Sequence, residues 1–281
     1  MSTIQELFTK GKSFLKDVSC PHLETKLLLM ESLSIQEAQF HAHPQKKVFR
    51  KQEREFYRLI FKRSCGFPLA YLRGKKEFWS LEYQVGPGVF IPRPETELLV
   101  EKVIELWSEG KEIIVDIGTG TGNIALSLDL EIPNARILAT DVDSTALNTA
   151  RKNSLLNQGK NIQFIQGSLF VPLEKKEWVE SCDFIVSNPP YVCEKEWGNL
   201  QPEIKNHEPK KAVVAGKRGL EFIEKLIQGA PRYLKPGGYL CLEIGSLQKS
   251  SALALFGREW KSVQVHNDMQ NLPRVVTAQK S

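Results

Sequence analysis

Residues 112–128 read EIIVDIGTGTGNIALSL. An uninterrupted run of mostly β-branched side chains reads as a buried strand over 112–117. Gly118, Gly120 and Gly122 then punctuate the chain, and a helix opens near Gly122. A strand apolar on both faces belongs in a parallel sheet covered by helices on each side. The same grammar continues outward from this stretch. Helices are expected over 95–107, 144–157 and near 220–230. Strands are expected over 136–141, 162–166, 183–187 and 239–244. Such alternation defines an α/β chain with a parallel sheet, and places a ligand at the carboxyl ends of its strands.

The residues before this region follow different rules. Apolar positions recur at helical spacing over 2–16, 22–31, 34–41 and 46–63, with Pro21 and Pro44 as breaks. The stretch 71–94 is rich in Tyr, Phe, Trp and Val and contains a Gly86-Pro87-Gly88 cluster, so it reads as a β-type hairpin or linker. The expected organisation is a small helical domain over 1–70, a β linker over 71–94 and an α/β domain over 95–281. Residues 1–94 hold 16 Lys/Arg against 9 Asp/Glu, although the whole chain carries only +5. The basic excess peaks in KKVFRKQEREFYRLIFKR (46–63), an amphipathic helix whose outer face suits an acidic partner or plain solvation.

Other features exclude function classes. No apolar run approaches the ~20 residues of a membrane helix, and the N-terminal residues lack the apolar core of a signal peptide. The five cysteines (20, 65, 182, 193 and 241) form no C-x-x-C pair. They read as reduced thiols of a cytoplasmic protein. Cys182 and Cys193 have no nearby His to activate them and read as packing residues. His41 and His43 lack further ligands, so no metal site is expected. His207 and Glu208 read as loop contacts.

The glycine pattern at 118–122 is G-x-G-x-G; the dinucleotide fingerprint would need a glycine where Asn123 stands. With Asp116 on the strand before it, this spacing resembles the S-adenosylmethionine loop of Rossmann-like methyltransferases. Glycines serve there because the backbone must turn sharply and lie bare against a ligand. Gly118, Thr119, Gly120, Thr121 and Gly122 are therefore expected to contact cofactor. Asp141 ends the next strand at the distance from which an acid accepts ribose hydroxyls. Asp143 suits the N-cap of the helix that follows.

Residues 185–192 read IVSNPPYV. A buried strand ends here in an amide, two prolines and a tyrosine. The prolines supply carbonyl oxygens without N–H groups. The motif is similar to that of methyltransferases acting on amide-like or exocyclic nitrogens. Such a nitrogen is a poor nucleophile, and two acceptors that hold its N–H groups fix its orientation and stabilise the charge that develops. The Asn188 side-chain oxygen and the Pro189 carbonyl are the candidate acceptors. Pro190 and Tyr191 complete the substrate wall, with the Tyr191 ring as a flat packing face. Catalytic roles thus fall on Asn188, Pro189 and Tyr191, and Asn188 is also expected to contact the cofactor.

The helical N-terminal part, IPRPETE (91–97), DIGTGTG, NPPY and the E-P-x-x-A segment at 208–212 together resemble the bacterial release-factor glutamine methyltransferase (HemK/PrmC) family. The resemblance spans nearly the whole chain. It implies a class I methyltransferase sheet with a helical substrate-gripping domain, and S-adenosyl-L-methionine as methyl donor. The implied acceptor is N5 of the glutamine in the Gly-Gly-Gln motif of peptide-chain release factors, with no nucleic-acid partner. It also implies that Phe90, Arg93 and Glu95 shape the pocket mouth and that Arg274 is structural. After the third strand the family often carries an acid and an aromatic beside adenine, whereas here Ser168 and Leu169 stand; Leu169 is expected to pack on the cofactor. The alternatives are a ribosomal-protein glutamine methyltransferase, an adenine-N6 DNA or RNA methyltransferase, and a non-catalytic module that keeps the cofactor pocket. The slightly acidic cofactor half argues against a duplex reader.

Overall fold

The computed structural model describes residues 1–281. The chain forms two compact units: Met1–Lys75 with Gln201–His207, and Lys76–Leu200 with Glu208–Ser281.

The second unit is built on a seven-stranded sheet. In chain order its strands are β1 (Ile113–Ile117), β2 (Arg136–Asp141), β3 (Ile162–Gln166), β4 (Cys182–Ser187), β5 (Leu234–Glu243), β6 (Trp260–Asn267) and β7 (Pro273–Lys280). Their spatial order is β6-β7-β5-β4-β1-β2-β3. Strands β1 to β5 run parallel, with Val115 opposite both Leu138 and Ile185. The expected parallel strands are extended on one side by an antiparallel pair. Strand β7 pairs antiparallel with β5, and β6 antiparallel with β7. Strand β5 also begins earlier than 239, because Lys235-Pro236-Gly237-Gly238 lies inside it, with Gly237 at φ 79° where a side chain would be strained.

Alternation along the strands explains both faces. Val115, Leu138, Ile185, Leu240 and Leu242 pack with Ile223, Leu226 and Ile227 of the helix Glu221–Gly229. Ile114, Ile137, Phe184 and Cys241 point the other way, onto Leu99, Val100 and Val103 of Glu97–Leu106 and Ile124 and Leu128 of Asn123–Glu131. A hairpin of Lys75–Phe78 and Leu81–Gln84 adds Phe78 and Tyr83 to this second face. The order reverses between β4 and β1, since β2 lies on one side of β1 and β4 on the other. That switch point opens a crevice beyond the strand ends.

The first unit consists of the helices Ile4–Phe14, Pro21–Leu33, Glu37–Ala42, Arg50–Ser64, Leu69–Arg73 and Pro202–His207. Leu7, Leu28, Leu29, Phe56 and Ile60 form its core. Gly11 allows close helix approach: a Cβ there would sit 2.6 Å from Thr25 Cγ2 and 2.7 Å from Phe56 Cζ. Buried Arg63 bonds Glu24 and reaches Glu203 at 2.7 Å, and His207 lies 4.4 Å from the Phe67 ring, so 201–207 folds with the N-terminal helices. The first helix opens in a capping box, with Glu6 N–H donating to Thr3 Oγ1 and Thr3 N–H to Glu6 Oε2. Thr3→Ala should cost about 1 kcal/mol of this unit's stability, read as a lower urea midpoint with an unchanged slope.

Candidate functional site

The crevice is a cavity of about 360 Å³ at the carboxyl ends of β1, β2 and β4. Its floor is the glycine loop. Gly118, Gly120 and Gly122 have φ of 78°, 57° and 80°, a region that penalises any Cβ. Gly118 and Thr119 N–H groups donate to Thr140 O, both at 2.8 Å, which ties the loop to β2. An added Cβ on Gly118 or Gly120 would meet nothing within 4 Å, so their bare backbone faces open space. At Gly122 it would press Ala150 Cβ at 3.1 Å. Thr119 and Thr121 hold the loop from below: Thr119 Oγ1 donates to Asp116 Oδ2 at 2.7 Å, and Thr121 Oγ1 to Asn123 Oδ1 at 2.9 Å.

Asp141 stands at the end of β2 in the cavity wall. Its Oδ2 accepts Gly120 N–H at 2.9 Å and its Oδ1 accepts Asp143 N–H at 2.8 Å, so the carboxylate is fixed beside the loop. Burial raises its pKa while those two N–H groups oppose the rise. Asp143 caps the helix Ser144–Leu156 through Thr145 N–H and pairs with Lys211 at 2.8 Å. Beneath the loop, burial lifts Asp116 to about 7; Thr119 opposes the rise and the charge of Asp141 adds to it. Leu169 and Ser168 line the cavity, Leu169 at φ 49°, a strained backbone for a leucine. Phe170 turns away to stack on Tyr233 at 5.1 Å.

The cradle suits the cofactor expected from the sequence. It offers bare glycine backbone, a fixed carboxylate with lone pairs left for ribose hydroxyls, and an apolar leucine wall.

Strand β4 delivers Asn188, Pro189 and Pro190 to the lining of the same cavity. Ser187 Oγ donates to Ile117 O at 2.6 Å, locking the end of β4 to the end of β1. Asn188 Nδ2 donates to Thr96 Oγ1 at 3.0 Å, which leaves Oδ1 as the amide's open acceptor. Thr96 Oγ1 in turn donates to Glu243 Oε2 at 2.6 Å, and Tyr191 OH donates to Glu243 Oε1 at 3.3 Å. Glu243 is 1% exposed. Tyr191 stands apart from the residues around the cavity, with its hydroxyl on this buried carboxylate. Phe90 and Arg93 line the cavity, whereas half-buried Glu95 does not. The Arg93 guanidinium sits 4.7 Å above the Phe90 ring and pairs with Glu208, which also accepts Ile91 N–H at 3.2 Å. Arg274 pairs with Asp268 at 3.1 Å.

Sequence reasoning missed Thr96, Glu243 and Asn153. Asn153 is buried in the helix Ser144–Leu156; it accepts Gln84 N–H at 2.7 Å and donates to Thr121 O at 2.9 Å, pinning the glycine loop to the hairpin. A polar residue on the apolar face of that helix was its only local sign. Cys182 and Cys241 are buried, and burial pushes their thiols up to about 11 and about 12, which keeps them protonated.

Comparison with known proteins agrees with this architecture. A family model described as the methyltransferase small domain matches residues 87–204, and another, the PrmC N-terminal domain, matches residues 6–74. A methyltransferase structure from Pyrococcus furiosus, 21% identical, superposes with a TM-score of 0.50 over 73% of this chain and 91% of its own, and shares the fold. The chain is an S-adenosylmethionine-dependent methyltransferase. Release factor glutamine methyltransferase from Koribacter versatilis is 34% identical over 99% of both chains. That from Coxiella burnetii is 36% identical over 98% of this chain and 95% of its own. The chain belongs to the release factor glutamine methyltransferase family.

Proposed function

We propose that this protein methylates N5 of the glutamine in the Gly-Gly-Gln motif of peptide-chain release factors, within the cytoplasm, and so acts on translation termination. The observation that supports this most directly is Asn188 in the lining of the same cavity as the glycine cradle, its Nδ2 engaged by Thr96 so that Oδ1 stays an acceptor, with Pro189 beside it. Bound S-adenosyl-L-methionine supplies a methyl group on a positively charged sulfur. Gly118 to Gly122 and Asp141 hold that donor, and Leu169 packs against it.

Asn188 and Pro189 each take one amide N–H of the substrate glutamine, fixing the amide plane so that the nitrogen lone pair perpendicular to it faces the cradle. As the new N–C bond forms, positive charge grows on nitrogen and strengthens both hydrogen bonds, so they favour the transition state over the ground state. The methylated nitrogen then loses a proton to water, and no general base is needed. Phe90, held by Arg93 over its face, and Pro190 exclude water from the amide. The basic face of the first unit grips the release factor. No helix is long and apolar enough to cross a membrane.

Transfer of labelled methyl tests this reading. Label should appear on purified release factor, and stay at background on the Gly-Gly-Ala variant and on unmethylated nucleic acid. Label on nucleic acid, or equal label on both release factors, would overturn the substrate.

A further inference from the structure

The hydrogen bonds behind Asn188 run in one direction. A threonine hydroxyl has a single proton. In this structure Thr96 gives it to Glu243, so Thr96 must accept from Asn188, and the amide NH2 must face Thr96. Glu243 is acceptor-only when ionised, and it also receives the Tyr191 hydroxyl. Protonation of Glu243 reverses the order. Its carboxylic O–H would donate to Thr96, Thr96 would donate to Asn188, and Asn188 would turn its oxygen inward and its NH2 toward the cavity. A donor would then face the glutamine N–H groups that need an acceptor.

We propose that Glu243 and Thr96 are positioning residues that set the orientation of the Asn188 amide, so that the acceptor clamp is assembled only while Glu243 is ionised. This rests on the functional reading above. Neither residue touches substrate nitrogen; both act through Asn188.

The surroundings of Glu243 make it titrate in the working range. Burial raises it to about 7, the bond from Thr96 and the charge of Arg274 oppose the rise, and the charge of Glu95 adds to it. Tyr191 and, beyond it, Arg93 are the other titratable or charged groups facing this corner, and Asp268 holds Arg274. The sign follows: a carboxyl raised above its ordinary value protonates as pH falls through neutrality, so the clamp disassembles toward acid.

Glu243→Gln tests this, because an amide there donates to Thr96 and mimics the protonated acid. At about pH 8.5 its kcat should be at least about 100-fold below wild type, because a donor then stands where Asn188 Oδ1 had accepted, with KM for S-adenosylmethionine unchanged. The wild-type-to-variant ratio should fall toward one near about pH 5.5. Asp116, also raised to about 7, acts on both proteins and cancels in this ratio. Thr96→Ser should keep wild-type kcat, and Thr96→Val should lose about tenfold. A second readout needs no turnover. The Asn188 side-chain amide resonance, assigned by its loss in Asn188→Ala, should shift through neutral pH in wild type and stay flat in Glu243→Gln. A pH-independent resonance in wild type, a Glu243→Gln variant with wild-type kcat at the higher pH, or a Thr96→Ser variant as slow as Thr96→Val would overturn the relay. A wild-type enzyme that labels no release factor would instead overturn the functional reading, while the resonance still reports on the relay.

Discussion

Asn188→Ala should lower kcat by about 10²–10³-fold, the usual loss when one preorganised hydrogen-bonding group aimed at developing charge is removed. The dissociation constant for S-adenosylmethionine should stay within about threefold, because the cradle is made by the glycine loop backbone and Asp141 rather than by the Asn188 side chain. The change is small for the fold. Asn188 is half-buried, follows the last residue of β4, and makes its side-chain bond only to Thr96. Ser187 still locks β4 to β1 through Ile117 O. The measurements are single-turnover methyl transfer to release factor and calorimetric titration with cofactor. A variant that transferred methyl at the wild-type rate would sink the acceptor clamp. One that lost cofactor binding in equal measure would make Asn188 a cofactor ligand instead. Asn188→Asp separates charge from geometry. It keeps an oxygen facing the amide, but adds a negative charge beside a carboxylate already raised by burial. Its activity should lie between those of wild type and the alanine variant.

What the sequence disclosed was what is local in the chain. Strands β2 and β3 lie at their expected bounds, because an apolar run between polar turns names itself. The glycine loop is legible for the same reason: a positive-φ turn between buried strand and helix admits almost nothing but glycine. Asp143 was legible as a cap because capping reaches only two or three residues. Thr96 and Glu243 were not legible. Thr96 meets Asn188 across 92 positions and Glu243 across 147, and neither side chain carries a local mark of that meeting. Tyr191 shows the same gap. Its ring was read as a packing face, yet its hydroxyl is fixed by a carboxylate 52 residues away. The edge strand β6 escaped notice because exposed polar residues stand between its apolar ones. A Lys-Pro-Gly-Gly turn signal inside β5 hid where that strand begins.

Asp141→Ala should weaken S-adenosylmethionine binding by at least about 150-fold, because hydrogen bonds to a charged group contribute about 1.5–3 kcal/mol each and two ribose hydroxyls lose their acceptor. Asp141 has two tasks, and alanine removes both. Its carboxylate fixes the glycine loop by accepting Gly120 N–H, and fixes the start of the following helix by accepting Asp143 N–H. The lone pairs that remain are the acceptors proposed for the ribose hydroxyls. Asp141→Asn divides the tasks. An amide oxygen can still accept Gly120 N–H while the charge is gone, so the loss should be about 5–20-fold, one charge-assisted bond reduced to a neutral one. The raised pKa gives a further check. The carboxylate begins to protonate above the ordinary aspartate range, so wild-type affinity should fall as the pH drops toward it, whereas Asp141→Asn should lack this dependence. Calorimetric titration of folded variants across pH reads all three effects. If Asp141→Ala bound the cofactor within about threefold of wild type with its fold intact, the ribose would have to sit elsewhere, because no loss of that size fits removal of a buried charged acceptor.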